Sequence, residues 1–314
     1  MKTSELIKGI HHVTATVDDA QEDYDFYTQL LGLRLVKKTV NFENNRVYHF
    51  YYGDEHGHPG TIMTTFPYKG EGVRQGSIGT GQVKITSFLA PKDSILFWQN
   101  RLIEAGVTVN AQTRFGENLL QFKDPSGLLL EIIGNDEDNR KPWENGDISL
   151  IHGIRGLHTV VLSIAEVKST FDFLTDEFGF KKVAEEGSFT RFAVGSGGPG
   201  QYVDISDDGG EQAGRGGIGT VHHVAWRVEN DEALLAIRQH LVEQLAFKVT
   251  EVKDRNYFHS IYFRMPGRVL FEIASIPPGF EVDEPLDTLG AELKLPSWEE
   301  MNRTEIENHL PTIQ

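Results

Sequence analysis

A strand–helix–strand–strand–strand pattern recurs four times along the 314 residues, and this repeat limits the fold more than any other feature. In its first occurrence, residues 10–17 alternate as a strand and run into Asp18-Asp19, a pair suited to start a helix. Tyr24-Asp25-Phe26-Tyr27-Thr28-Gln29-Leu30-Leu31-Gly32 then carries apolar residues at helical spacing and ends in a glycine placed for a left-handed cap. Strands over 35–40, 47–52 and 61–66 follow, divided by Asn44-Asn45 and Gly57-His58-Pro59-Gly60 turns. The third occurrence opens on Leu157-His158-Thr159-Val160-Val161 and sets Asp172 seven residues before Gly179, as Asp25 lies seven before Gly32. The second runs from Val83 through a helix around Phe97-Trp98 to Ile133, and the fourth from Val221 to Ala274. Both end alike, with Glu131 and Glu272 each six residues after a proline.

One such module has too few strands to close a core, so modules must pair. The expected architecture is α+β: four βαβββ modules in two tandem domains, forming open curved β-barrels. The domains are expected at residues 1–140 and 150–280, joined through the polar stretch 135–147. Residues 281–314 form an acidic tail with a short helix around Trp298–His309, expected to strap the second domain.

Composition narrows the function. With no cysteine, a metal site must use histidine, carboxylate or water. The net charge of −16 argues against a nucleic-acid partner, whose phosphates need a basic surface. No apolar run reaches membrane-spanning length and residues 1–5 lack a signal-peptide core, so a cytoplasmic location is expected.

Gly9-Ile10-His11-His12-Val13 and Thr220-Val221-His222-His223-Val224 place histidine pairs at equivalent points of two module-opening strands. Strand alternation turns one of each pair, His12 and His223, to the concave face; His11 and His222 then point elsewhere, or lie at a strand end close enough to support the site. Glu272 is flanked by Leu270, Phe271, Ile273 and Ala274. A carboxylate buried there needs a metal, an arginine or a lysine. Counting six from Pro59 in module one lands on Thr65, so no fourth ligand is supplied. Two histidines and one carboxylate leave open coordination positions, the arrangement of non-haem Fe(II) oxygenases. A competing set is His158, Glu131 and Asp204, with Lys84 where the other histidine should stand and able to neutralise Glu131. His158 would replace His12 if modules three and four share a barrel; sequence alone leaves the pairing open.

At these residues the chain resembles the vicinal oxygen chelate (glyoxalase/bleomycin-resistance/dioxygenase) superfamily, and within it the hydroquinone-type ring-cleaving extradiol dioxygenases. Further segments carry the likeness: Val36-Lys37-Lys38-Thr39-Val40-Asn41, residues 59–67, Thr113-Arg114-Phe115-Gly116 and the region from Asp254 to Glu272. The resemblance implies Fe(II), or Mn(II) or another divalent metal, on His12, His223 and Glu272. It implies His11, His222 and Tyr262 as acid/base groups, and Thr14 and Arg255 as substrate-binding residues. His259 reads as a surface residue. The implied substrates are a small aromatic diol, hydroquinone or catechol, and O₂; a homo-oligomer is left open. The alternatives are a glyoxalase-like metal-dependent isomerase or lyase, and a metal-free aromatic-ligand binding protein of the bleomycin-resistance type.

Overall fold

The structure, a computed structural model, describes residues 5–144 and 146–314. Module one holds β1 (Ile10–Val17), α1 (Ala20–Asp25), β2 (Arg34–Asn41), β3 (Asn44–Gly53) and β4 (Ile62–Pro67). Module two holds β5 (Gln82–Ala90), α2 (Ile95–Glu104), β6 (Asn110–Arg114), β7 (Glu117–Lys123) and β8 (Leu129–Gly134). Module three holds β9 (Gly156–Ile164), α3 (Val167–Asp172), β10 (Lys181–Glu186), β11 (Phe189–Ala193) and β12 (Tyr202–Asp207). Module four holds β13 (Thr220–Val228), α4 (Asp231–Glu243), β14 (Lys253–Asp254), β15 (His259–Arg264) and β16 (Leu270–Ser275).

Local chemistry explains the repeat. The Asp19 carboxylate accepts the N–H groups of Gln21 and Glu22 at 2.8 and 2.9 Å, capping α1. The helix then widens into a π turn, Phe26–Leu30, which buries Phe26 and Tyr27. Module three does the same at Phe173–Glu177, burying Phe173 and Leu174. Gly32 and Gly179 both take φ of 70°, where a side chain is strained. A Cβ at Gly32 would also sit 2.5 Å from Ile148 Cδ1.

Two eight-stranded sheets result, and each draws on both halves of the chain. Modules one and four build the order β14-β15-β16-β13-β1-β4-β3-β2; modules two and three build β10-β11-β12-β9-β5-β8-β7-β6. Antiparallel pairs, β1 with β13 and β5 with β9, join the modules at the centre of each sheet. The segments linking modules one to two and three to four cross each other, bridged at Gln75–Ile218, Ser77–Arg215 and Thr80–Ala213. They cross so tightly that a Cβ at Gly79 would meet Gln212 O at 2.3 Å. One apolar core runs under both sheets, with Trp98, Phe88, Tyr27 and Trp226 fully buried.

The tail crosses module one rather than strapping the second half of the chain. Lys294 N–H bonds Lys38 O at 2.9 Å, Tyr48 Oη donates to Pro311 O at 3.0 Å, and the buried Lys37 ammonium reaches Asp283 and Glu284 at 2.6 Å each. α5 (Arg303–His309) packs on β3. Phe280 and Leu289 join Tyr51, Tyr257 and Phe258 in a second apolar cluster under the concave face of the first sheet.

Candidate metal centre

The ladder between β1 and β13 is broken twice. His12 pairs with Ala225 and Ile10 with Trp226, so His11 is an extra residue; Thr14 pairs with His223 and Ala15 with Val221, so His222 is extra. Such bulges re-aim side chains, and each extra histidine stands beside its neighbour with the two Nδ1 atoms in contact. His222 follows His223 onto the concave side and lines a cavity there, while His11 lies beneath His12, outside that lining.

His12 and His223 turn Nε2 toward Glu272, brought alongside by the parallel β13–β16 pair, where Ala225 sits opposite Glu272. The three side chains are 2%, 5% and 0% exposed, which removes water as the neutralising partner. Glu272 Oε2 lies 3.1 Å from His12 Nε2 and 2.7 Å from His223 Nε2, and the two Nε2 atoms are 3.3 Å apart. Ligands about 2.1 Å from one cation at right angles stand about 3.0 Å apart, so these separations fit one face of an octahedral site. Glu272 Oε2 has no well-aligned hydrogen bond, whereas Oε1 accepts the Tyr262 O–H at 2.8 Å. Burial pushes the Glu272 carboxyl up, but His12 and His223 override it and hold it well below the usual range.

The outer nitrogens are paired as well. His12 Nδ1 meets His11 Nδ1 at 2.9 Å, and His223 Nδ1 meets His222 Nδ1 at 2.7 Å. If each inner histidine donates its Nδ1–H to its neighbour, both Nε2 lone pairs are free for a cation. Burial, then the neighbouring His12, lowers His11 well below its ordinary pKa. His222 falls to about 3 through burial and His223. Its ring is exposed at the mouth of the cavity, where the neighbouring His223 also favours the neutral form.

The second sheet shows the same positions filled differently. Register places Thr159 at the equivalent of His12, Ile85 at that of His223, Glu131 at that of Glu272 and Asp204 at that of Thr64. His158 and Lys84 are bulged residues there, equivalent to His11 and His222. His158 therefore cannot replace His12: it lies in the other sheet and bonds Glu117 at 3.0 Å. Glu131 is neutralised by Arg114, bidentate at 2.9 and 2.7 Å, and not by Lys84, which binds Asp208 at 3.0 Å. Arg191 holds Asp204 at 2.8 and 3.0 Å. In the first sheet Arg255, the counterpart of Arg114, instead donates to Tyr262 Oη at 3.2 Å and leaves Glu272 Oε2 without a cation. The donor set thus fits a divalent cation, and among the described residues it is the one cluster that does. Thr64, not the Thr65 found by counting from Pro59, stands where a fourth ligand would be.

The cavity beside the three residues has a volume of about 200 Å³. Thr14, His222, Arg255 and Tyr262 line it, together with His49, Tyr51, Phe66, Tyr68 and Phe258, which the sequence reading did not name. His49 and Tyr51 alternate along β3, and that parity was the available signal. His259 pairs with Asp231 at 2.9 Å, away from the cavity.

The sequence pattern of the Glyoxalase/Bleomycin resistance protein/Dioxygenase superfamily matches residues 9–132 and 156–273. MhqO of Bacillus subtilis (strain 168), provisionally named a ring-cleaving dioxygenase, is 44% identical over 304 residues, covering 96% of this chain and 95% of that protein. A chlorohydroquinone/hydroquinone 1,2-dioxygenase of Sphingobium indicum is 37% identical over 302 residues, covering 94% of this chain and 93% of that one. A crystal structure of a Bacillus subtilis protein provisionally described as a dioxygenase superposes with a TM-score of 0.93 at 43% identity, over 99% of this chain and 98% of that one. Glyoxalase I of Zea mays shares the fold alone, with a TM-score of 0.62 and 14% identity over 85% of this chain and 92% of that one.

Proposed function

Because the chain belongs to the Glyoxalase/Bleomycin resistance protein/Dioxygenase superfamily, we propose that it is a metal-dependent dioxygenase that opens the ring of a hydroquinone or catechol with O₂. The observation that carries this reading is the meeting of two imidazole nitrogens and one carboxylate oxygen, buried and without a protein cation, at the wall of a small aromatic cavity. A divalent cation, Fe(II) in this reading, would supply dioxygen activation and phenol acidification when bound. His12, His223 and Glu272 would hold it.

Tyr262 fixes the carboxylate by donating to Glu272 Oε1 and is itself held by Arg255. His11 and His222 fix the imidazole planes. In the tautomer that frees both inner Nε2 atoms, His222 carries its proton on Nε2 and serves as a hydrogen-bond donor in the cavity. The rings of Tyr51, Phe66 and Phe258 give the substrate ring flat apolar walls. A volume of about 200 Å³ suits one ring and is below the range typical of larger ligands. Three protein donors instead of four favour oxygenase over isomerase chemistry.

The test is an oxygen electrode with the iron-loaded chain and hydroquinone or catechol. The expected result is one O₂ consumed per ring opened, both atoms retained in the product. Absence of uptake with every diol tried would overturn the proposal. Glu272→Gln should lose bound metal and turnover while its circular dichroism stays unchanged.

A further inference from the structure

His49 is the cavity-lining histidine that the reading above leaves without a role. Its ring is wedged between Tyr51 and Phe66, with centroids 4.1 and 4.3 Å away, so its orientation is fixed by packing. Its Nε2 lies 3.0 Å from Thr64 Oγ1, and Thr64 donates its O–H to Thr14 Oγ1 at 2.8 Å. A hydroxyl has one proton. In the arrangement that puts this proton on the Thr14 bond, Thr64 accepts at the other contact and His49 supplies an Nε2–H. The lone pair then resides on Nδ1. That atom has no protein partner among the described residues, yet it is not among the buried polar atoms sealed without one. It opens on the cavity that His49 lines.

Three other polar groups there have no acceptor to spare for a ligand. Arg255 is a donor, Tyr262 spends its proton on Glu272 while accepting from Arg255, and His222 presents Nε2–H in the metal-ready tautomer. The hydroxyls of Thr14, Thr16, Tyr51 and Tyr68 can donate or accept, and Glu43 and the asparagines of the β2–β3 turn lie at the rim; His49 Nδ1 is the imidazole nitrogen there that packing holds in place as an acceptor. The two oxygens of a hydroquinone stand para to each other and cannot both reach one cation, so only one can coordinate it. The other hydroxyl, if it stays protonated, needs an acceptor.

We propose that His49 is a specificity-determining residue whose Nδ1 accepts a hydrogen bond from a protonated hydroxyl of the bound ring. The site thereby selects diols over monophenols and over diol monoethers. The Thr14–Thr64 pair acts through His49 by holding its tautomer. This inference rests on the diol reading given above, but its test requires no turnover.

Binding of hydroquinone and of 4-methoxyphenol to the Fe(II)-loaded chain is measured anaerobically by calorimetry. The ether has the same ring and one hydroxyl but cannot donate from its second oxygen. The wild type should prefer hydroquinone by about fivefold to tenfold, the worth of one hydrogen bond. His49→Phe should reduce the preference to near unity; His49→Leu replaces it if the larger ring unfolds the strand. Thr64→Val should lower the preference partway and shift the ¹⁵N signals of His49 away from the Nε2–H tautomer. Equal binding of the two compounds by the wild type, full preference retained without His49, or no saturable binding of either compound would overturn the proposal. A chain that shows the preference yet consumes no O₂ would defeat the dioxygenase reading and leave His49 as a hydroxyl acceptor.

Discussion

Replacing Asp23 with asparagine should abolish a pH dependence of stability. Asp23 lies on α1, 2% exposed, and its Oδ2 accepts from Tyr52 Oη at 2.7 Å and Thr65 Oγ1 at 2.6 Å while Oδ1 has no partner. Burial raises its pKa from 3.8 to about 8, outweighing the Thr65 and Tyr52 hydrogen bonds that lower it. Between those values the folded chain keeps the proton and the unfolded chain releases it. Stability therefore falls as pH rises, by about 1.4 kcal/mol per unit, and levels off above the folded pKa. From about pH 5.5 to about pH 7.5 this amounts to about 2.7 kcal/mol. Asparagine keeps an acceptor for the two hydroxyls and has no proton to release. Asp124, raised to about 6 by burial, titrates in both proteins and largely cancels from the comparison. Urea unfolding of the chelator-stripped chain at steps across this range gives the two slopes. The wild-type slope should exceed that of the variant by about one proton. Parallel curves would mean that Asp23 is ionised in the fold, and the argument from burial would fail.

Arg114→Ala should destabilise by about 3–5 kcal/mol in urea, because Glu131 is left buried without its guanidinium; adding Glu131→Gln should recover part of the loss. Tyr262→Phe removes the O–H that holds Glu272 Oε1, and a competition titration with a chelator should show metal affinity reduced by about 10–100-fold. Gly79→Ala forces a Cβ to within 2.3 Å of Gln212 O at the linker crossing, and its thermal midpoint should fall by an amount matching about 1–3 kcal/mol.

Much of the architecture is legible in the sequence because duplication writes the same physics four times. Asp25 and Asp172 recur at one spacing before glycines that both adopt positive φ, and either copy corroborates the other. The convergence of residues 12, 223 and 272 was also readable, from histidines at equivalent strand positions and a carboxylate inside an apolar run. What alternation hides is the bulge. A strand that gains one residue looks continuous in sequence, so alternation left the direction of His222 open and counting set Thr65 in the place of Thr64. The status of His158 was nevertheless available: aligning Gly156-Leu157-His158-Thr159 with Gly9-Ile10-His11-His12 sets it against His11. Arg114, the last residue of β6, gave no sign that it would outcompete Lys84 for Glu131, since long side chains reach across strands that sequence does not order. The path of the tail depended on Lys37, a charge whose burial is decided only by the carboxylates that arrive from 283 and 284.

The β1–β13 seam joins residues 10–17 to residues 220–228, with His12 and His223 separated by 211 positions. On the ribosome, β1 must therefore wait with one edge unmatched until β13 emerges, and no fragment ending before residue 272 can present all three donors. An early termination product would hold a histidine without its carboxylate. Assembly of the three-donor set is thus tied to completion of synthesis through residue 272 by topology alone.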